Sequence, residues 1–149
     1  MTEHRARVAW RRETDGFDYD GFDRRHEVTF KDGRVVVEGD AAADYGGQGA
    51  AAGVDPEELF AASLAACHML SFLAVAARMR IVVDAYADAP VASVGKGDDG
   101  RLAVTRVVLK PQVTFAGEVS PEKLAQLHDL AHRNCFVANA VKATVVIEP

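Results

Sequence analysis

Two cysteines, Cys67 and Cys135, carry the most versatile chemistry in this sequence of 149 residues. A cysteine is a nucleophile only as the thiolate, so a reactive cysteine needs a nearby cation or hydrogen-bond donor. Cys67 follows the apolar residues Leu64, Ala65 and Ala66, among which the loss of hydration disfavours a thiolate. On its own, Cys67 is therefore more typical of an inert core residue, and a functional Cys67 requires a cation from elsewhere in the chain.

Two arginines near the N-terminus are candidates for that cation. They lie in the segment Phe22-Asp23-Arg24-Arg25-His26, at the start of a predicted strand. Neighbouring residues of a strand point to opposite faces, so only one of Arg24 and Arg25 can face a given pocket. The alternative is that both arginines are surface charges on an edge strand.

A zinc site is a second use that the sequence offers for the cysteines. Cys67-His68 and the pair His132 and Cys135 could together supply two thiolates and two imidazoles. On a helix, however, His68 lies about 100° round the axis from Cys67, so the two side chains diverge. We therefore expect no metal, with His68 as a hydrogen-bonded core residue and His132 as a cation at a helix end.

The element that must position Cys67 is a helix predicted over residues 56–79. Asp55 can cap its first turn, Pro56 suits the first helical position, and Glu58 is the reciprocal partner of the cap. The residues that follow are apolar on nearly every face, which is typical of a helix at the centre of a fold. The length approaches that of a membrane span, but the cap and the charges that flank and interrupt the run favour a soluble protein.

The other predicted elements are strands, a long loop and one further helix. Strands are predicted at residues 5–13, 26–30, 34–38, 81–94, 101–115 and 141–147. Residues 39–54, rich in Gly and Ala, form the predicted loop, and Ser120 caps the second helix, near whose end Cys135 lies. This order predicts an α+β fold, in one domain spanning residues 1–149.

Charge and composition limit the function classes. The formal net charge of -5 argues against a nucleic-acid partner, which is usually bound by a basic face. The sequence does not open on an apolar stretch, so we expect no signal peptide and a cytoplasmic location without a membrane partner. In that reducing compartment, two cysteines do not suggest a structural disulfide, and any pairing between them would be transient.

Each cysteine lies in a distinctive segment, Cys67 in residues 55–70 and Cys135 in residues 131–141. Both segments closely resemble the OsmC/Ohr family of bacterial thiol-dependent organic hydroperoxide reductases. His68-Met69-Leu70 after the first cysteine, and Phe136 in place of a frequent proline after the second, are most similar to the OsmC-like branch. The resemblance implies antiparallel sheets wrapped around a buried central helix, in an intertwined homodimer.

The resemblance also implies roles for four residues. Cys67 would be the peroxidatic thiolate, which reduces an organic hydroperoxide to an alcohol and becomes a sulfenic acid. Cys135 would resolve that acid as a disulfide, which an external dithiol, for example of lipoyl type, then reduces without any cofactor. Arg24 fits the position of the thiolate-stabilising arginine, and Glu57 that of the glutamate that orients it.

The position of Glu57 adds a constraint. Glu57 precedes Cys67 by ten residues, so the two are separated by roughly 15 Å along one straight helix. Glu57 must therefore act through the arginine or serve Cys67 of a second chain, unless it only complements the helix dipole. The alternative function is a non-catalytic redox sensor or a protein that binds a small hydrophobic ligand.

Overall fold

The computed structural model describes residues 1–48 and 53–149. The chain divides into two compact units, Met1–Leu59 and Phe60–Pro149, which are described separately below. A single domain over residues 1–149 stays a prediction. Gly49, in the glycine-rich centre of the loop predicted over residues 39–54, lies outside the described residues.

The first unit contains a three-stranded antiparallel sheet in the order β1-β2-β3, formed by Ala6–Ala9, His26–Phe30 and Val35–Gly39. The predicted hairpin is confirmed, and Phe30 pairs with Val35 across its turn. The strand predicted at residues 5–13 is too long, because β1 ends at Ala9. Ala9 pairs with Glu27, and β2 begins one residue earlier, so the residues after Trp10 have no strand to pair with.

The predicted loop after β3 is closed at its base and anchored at a buried carboxylate. The Val54 amide donates to the Glu38 carbonyl at 2.9 Å, which brings the two ends of the loop together. Asp40 is 1% exposed, and its carboxylate accepts from the amides of Ala41 at 2.8 Å and Gln48 at 3.0 Å. A charge this deeply buried requires such donors, so Asp40 determines the path of the loop.

The helix α1, Pro56–Arg78, confirms the predicted capping box. The Glu58 amide donates to Asp55 Oδ1 at 2.7 Å, and the Asp55 amide donates to Glu58 Oε2 at 3.0 Å. Each carboxylate thus satisfies an amide that the first turn leaves without a partner.

The second unit contains two sheets. A two-stranded sheet pairs β4, Val83–Ala87, with β7, Gln112–Phe115. A three-stranded sheet has the order β5-β6-β8, from Val91–Lys96, Leu102–Leu109 and Thr144–Ile147, and its β6–β8 pair is parallel. The last strand is shorter than the predicted 141–147.

The strands predicted at 81–94 and 101–115 are wrong in their continuity, because each is divided into two. Pro90 separates β4 from β5, and Pro111 separates β6 from β7. Proline has no amide to donate to a ladder, so a strand ends or bends there. Asp88 Oδ1 accepts from the Lys110 amide at 2.7 Å and links the two breaks.

The second helix, α2, spans Pro121–Asn134, and Ser120 Oγ accepts from the Lys123 amide as predicted for its cap. Two apolar clusters of the second unit form on α1. Ala61, Leu64 and Ala65 pack against β6, and Phe72, Val75 and Ala76 pack against α2. α1 is long and apolar enough to cross a membrane, but these contacts are those of a core helix. The predicted α+β fold is confirmed.

Candidate active site

The two cysteines lie side by side in the second unit. Cys67 is midway along α1, and Cys135 is the C-terminal cap of α2. The residues after Cys135, including Val137 and Ala138, pack on the first apolar cluster of α1, which turns the end of α2 toward Cys67. The two thiols are close enough for Cys67 to contribute to the raised pKa of Cys135.

The two thiols differ in exposure and in acidity. Cys67 is partly exposed, whereas Cys135 is 1% exposed. Burial, with a further contribution from the hydrogen bond to Cys67, raises the pKa of the Cys135 thiol to about 11. The Ala138 amide donates to Cys135 Sγ at 3.4 Å and partly offsets this effect. Cys135 is consequently a neutral thiol at physiological pH.

His68 is a hydrogen-bonded core residue, as predicted. It is 1% exposed, and its Nε2 lies 3.1 Å from Nδ1 of His128 on α2. The two rings are stacked with an interplanar angle of 8°, and the His128 ring also lies 4.6 Å from that of Phe72. Burial, followed by the neighbouring His128 and His132, lowers the pKa of His68 to about 4.

His128 is a residue that sequence reasoning missed. Burial lowers its pKa as well, so both imidazoles are neutral near pH 7. The sequence feature that could have predicted the burial of His128 is its place on the apolar stripe of α2, beside Leu124, Leu127 and Ala131. The periodicity of that stripe predicts an inward-facing residue. His132, predicted as a helix-end cation, does lie in the last turn of α2.

Arg24 lies two residues before β2 in the first unit and is partly buried. Its guanidinium donates to the carbonyls of Tyr19 at 2.7 Å and Phe22 at 3.0 Å. The Cζ atom lies over the Phe22 ring, 4.1 Å from its centroid. Within residues 1–48 and 53–149, no carboxylate forms an ion pair with Arg24.

Arg25 has a different environment. It is exposed and forms a forked ion pair with Asp23, with its Nη2 at 2.5 Å and its Nε at 2.9 Å from Oδ2. The hydrogen bonds from Arg25 lower the pKa of Asp23 to about 2. The Asp23 carbonyl also accepts from Trp10 Nε1 at 2.6 Å, which ties this segment to the end of β1. Arg25 is therefore already neutralised, and Arg24 is not.

Glu57 is the second residue of α1 and is partly buried. In the part of the chain that the structure describes, it forms no ion pair. Its position in the first turn suits a carboxylate, because the amide end of a helix is electropositive. Arg24 and Glu57 belong to the first unit and the cysteines to the second, so a site that unites all four residues remains a prediction.

Together, the α+β fold and the adjacent thiols define a small two-cysteine protein built around one apolar helix. The chain belongs to the OsmC-like protein family, whose pattern matches residues 46–149. No curated protein matches the chain in sequence.

Solved structures share the fold over nearly the whole chain. An OsmC-like protein of unknown function from Vibrio cholerae is 41% identical, with 99% of each chain covered and a TM-score of 0.89. The organic hydroperoxide resistance protein OhrB of Bacillus subtilis is 26% identical over 97% of this chain and 95% of its own, with a TM-score of 0.67. An organic hydroperoxide resistance protein from Elizabethkingia anophelis is 20% identical over 99% and 93% of the two chains, with a TM-score of 0.75.

Proposed function

We propose that this protein is a thiol-dependent peroxidase that reduces organic hydroperoxides to alcohols. The observation that carries the proposal is the pair of adjacent thiols, of which Cys67 is partly exposed and Cys135 is buried. An accessible thiol beside a protected one suits a peroxidatic and a resolving cysteine. Family membership and the similarity to the Bacillus subtilis organic hydroperoxide resistance protein support the same role.

The first step is a two-electron oxidation of Cys67. Its thiolate attacks the terminal oxygen of the hydroperoxide ROOH, so that an S–O bond forms as the O–O bond breaks. The electron pair of the broken bond leaves on the alkoxide, which takes a proton and becomes the alcohol ROH. Cys67 is then a sulfenic acid, the first and reversible product of thiol oxidation.

Cys135 completes the cycle as the resolving cysteine. Its sulfur attacks the Cys67 sulfur, the S–O bond breaks, and the hydroxyl group leaves as water with the thiol proton of Cys135. An external dithiol then reduces the Cys67–Cys135 disulfide by exchange and itself becomes a disulfide. The apolar side chains around Cys67 suit a fatty or aromatic hydroperoxide better than hydrogen peroxide.

Arg24 is the proposed cation for the Cys67 thiolate, and Glu57 the carboxylate that orients Arg24. Arg24 is favoured over Arg25 because the Asp23 carboxylate already occupies the Arg25 guanidinium. A guanidinium without a carboxylate partner has its full charge available for a thiolate.

The active form is proposed to be a cytoplasmic homodimer. One stripe of α1 is exposed in the single chain, at Ser63, Ala66, Leu70, Ala74 and Ala77. Leu70 is 63% exposed, which is unusual for an apolar residue in the middle of a core helix. A second copy of α1 would cover this stripe.

The proposal is tested by comparing the wild-type chain with two cysteine variants. With cumene hydroperoxide and a dihydrolipoyl reductant, the wild-type protein should consume peroxide continuously. Cys67→Ser should abolish consumption, whereas Cys135→Ser should reduce one equivalent of peroxide and then stop, as measured by thiol titration. Equal residual activity in the two variants would overturn the assigned roles. A wild-type chain that binds the peroxide without consuming it would instead identify a sensor or a ligand-binding protein.

A further inference from the structure

We infer that Gly46 and Phe22 are positioning residues that hold the guanidinium of Arg24, an inference that rests on the proposed role of Arg24 in peroxide reduction. All three residues belong to the first unit. Phe22 lies two residues before Arg24, and Gly46 lies in the loop that follows β3. We call the Phe22 ring, the Gly46 backbone and the carbonyls of Tyr19 and Phe22 the arginine clamp.

Gly46 is in contact with the guanidinium through its backbone. A Cβ atom placed on Gly46 would lie 2.6 Å from Arg24 Cζ and 2.9 Å from both Nε and Nη1. These distances are too short for real atoms, so any side chain at this position displaces Arg24 or the loop. The φ angle of Gly46 is +85°, which a side chain would also strain. Both the close approach of Arg24 and the positive φ angle therefore require glycine at position 46.

The rest of the clamp leaves the guanidinium few other positions. The Phe22 ring attracts the cation from 4.1 Å, and the two carbonyls accept from the two terminal nitrogens, Nη1 and Nη2. Phe22 is itself held by the aromatic rings of Phe17, at 5.5 Å, and Trp10, at 6.4 Å. The clamp thus orients Arg24 without neutralising its charge, because none of these groups is an anion.

The loop that carries Gly46 is held in place on both sides of that residue. The buried Asp40 carboxylate accepts from the Gln48 amide, two residues after Gly46. Before Gly46, the Tyr45 amide donates to the Ala42 carbonyl at 2.9 Å. Gly47 approaches the Ala41 carbonyl so closely that a Cβ atom would lie 1.6 Å from its oxygen. The hydrogen bond to Asp40 therefore helps to fix the loop that places Gly46 against Arg24.

The matched control for Gly46 is Gly33, at the hairpin turn. Gly33 has nearly the same φ angle, +88°, but a Cβ atom there would meet nothing within 4 Å. Gly33→Ala thus introduces the same backbone strain without touching Arg24. Phe22→Leu is a second variant, with Phe17→Leu as its control, since Phe17 shares the aromatic contacts and is 68% exposed.

The test measures the oxidation of Cys67 by cumene hydroperoxide in a single turnover, and the pH midpoint of Cys67 alkylation. Gly46→Ala should slow oxidation about tenfold or more and move the alkylation midpoint to higher pH, since small displacements of a catalytic group are costly. Gly33→Ala should change neither. Phe22→Leu should slow oxidation about threefold, consistent with the loss of one cation–π contact, and Phe17→Leu less.

A double variant separates positioning from general damage. In the Arg24→Ala background, Gly46→Ala should cause no further loss. A further loss there, or equal effects of Gly46→Ala and Gly33→Ala, would overturn the clamp. If Arg24→Ala slows the oxidation of Cys67 but Gly46→Ala does not, the positioning role of Gly46 is wrong and the proposed role of Arg24 stands. If Arg24→Ala itself keeps the wild-type rate, the proposed role of the arginine fails first.

Discussion

At the scale of single residues, the two cysteines differ in how deeply they are buried. Cys67 lies on the surface of the packed region, and Cys135 lies inside it. Burial disfavours a charged thiolate at Cys135, so under the proposed function Cys135 should not compete with Cys67 for peroxide. In the proposed mechanism, the same burial would protect Cys135 from oxidation until a sulfenic acid has formed on Cys67.

The acidity of Cys135 predicts the pH dependence of disulfide formation. With a pKa near 11, only a small fraction of Cys135 is thiolate at pH 7, and that fraction rises about tenfold per pH unit. The resolution step should therefore accelerate from pH 7 to pH 9, while the preceding oxidation of Cys67 follows a different profile. Stopped-flow fluorescence after one equivalent of hydroperoxide separates the two phases. A resolution rate that does not change with pH would contradict this assignment.

At the scale of elements, α1 and α2 meet through a pair of neutral imidazoles. His68 comes from α1 and His128 from α2, and the stacked rings fill the space between the helices. Two protonated rings at this distance would repel each other in a region that excludes water. Protonation of the imidazoles should therefore destabilise the packing of α1 against α2.

The histidine pair predicts a loss of stability in mild acid. His68 is protonated below about pH 4 in the folded chain and below about pH 6.5 when unfolded, so the unfolded chain binds the extra proton between these values. The free energy of unfolding should accordingly fall as the pH drops from 6.5 to 4, by about 3 kcal/mol at about 1.4 kcal/mol per pKa unit. His128 adds to the effect in the same direction.

Urea unfolding at several pH values measures this slope. His68→Phe keeps an aromatic ring in the core and should remove most of the pH dependence. The exposed His4 offers a control, because His4→Gln should leave the slope unchanged. The prediction is wrong if wild type and His68→Phe lose stability in parallel.

At the scale of the whole molecule, the exposed stripe of α1 predicts an obligate homodimer. Apolar and small residues recur along it at a spacing of three to four residues, which places them on one face of the helix. Two such faces packed about a two-fold axis would bury each other, as in obligate interfaces. Glu57 at the start of one helix would then be available to Cys67 on the partner helix.

Complementation tests this arrangement directly. Neither a Cys67→Ser chain nor a Glu57→Ala chain should be fully active alone. If Glu57 acts between chains, one of the two active sites of their heterodimer has both an intact Cys67 and an intact Glu57, so the heterodimer should recover about half of the wild-type activity. Co-expression with two affinity tags isolates the heterodimer. A fully active monomer in sedimentation at micromolar concentration would exclude the dimer. A dimer without complementation would keep the interface and assign Glu57 to its own chain.

The sequence by itself determined the elements whose signals are local. The capping box of Asp55 and Glu58 and the Ser120 cap each involve residues three apart, so their signatures survive without any tertiary contact. The hairpin of β2 and β3 was also predicted, since its turn residues adjoin both strands. The breaks at Pro90 and Pro111 were missed although proline is a local signal, because the prediction followed the valine-rich runs across each proline. Which sheet each half joins has no local signal.

Only the tertiary structure decided the environments of the chemically active residues. Cys67 and Cys135 are 68 positions apart in the sequence, and no local pattern states that one thiol is buried beside the other. His128 is buried because it meets His68, sixty positions away. Arg24 and Arg25 are identical neighbours in the sequence, and only the folded chain gives one a carboxylate and the other an aromatic ring. Exposure, acidity and charge pairing depend on which distant groups pack together, and packing is a property of the whole fold.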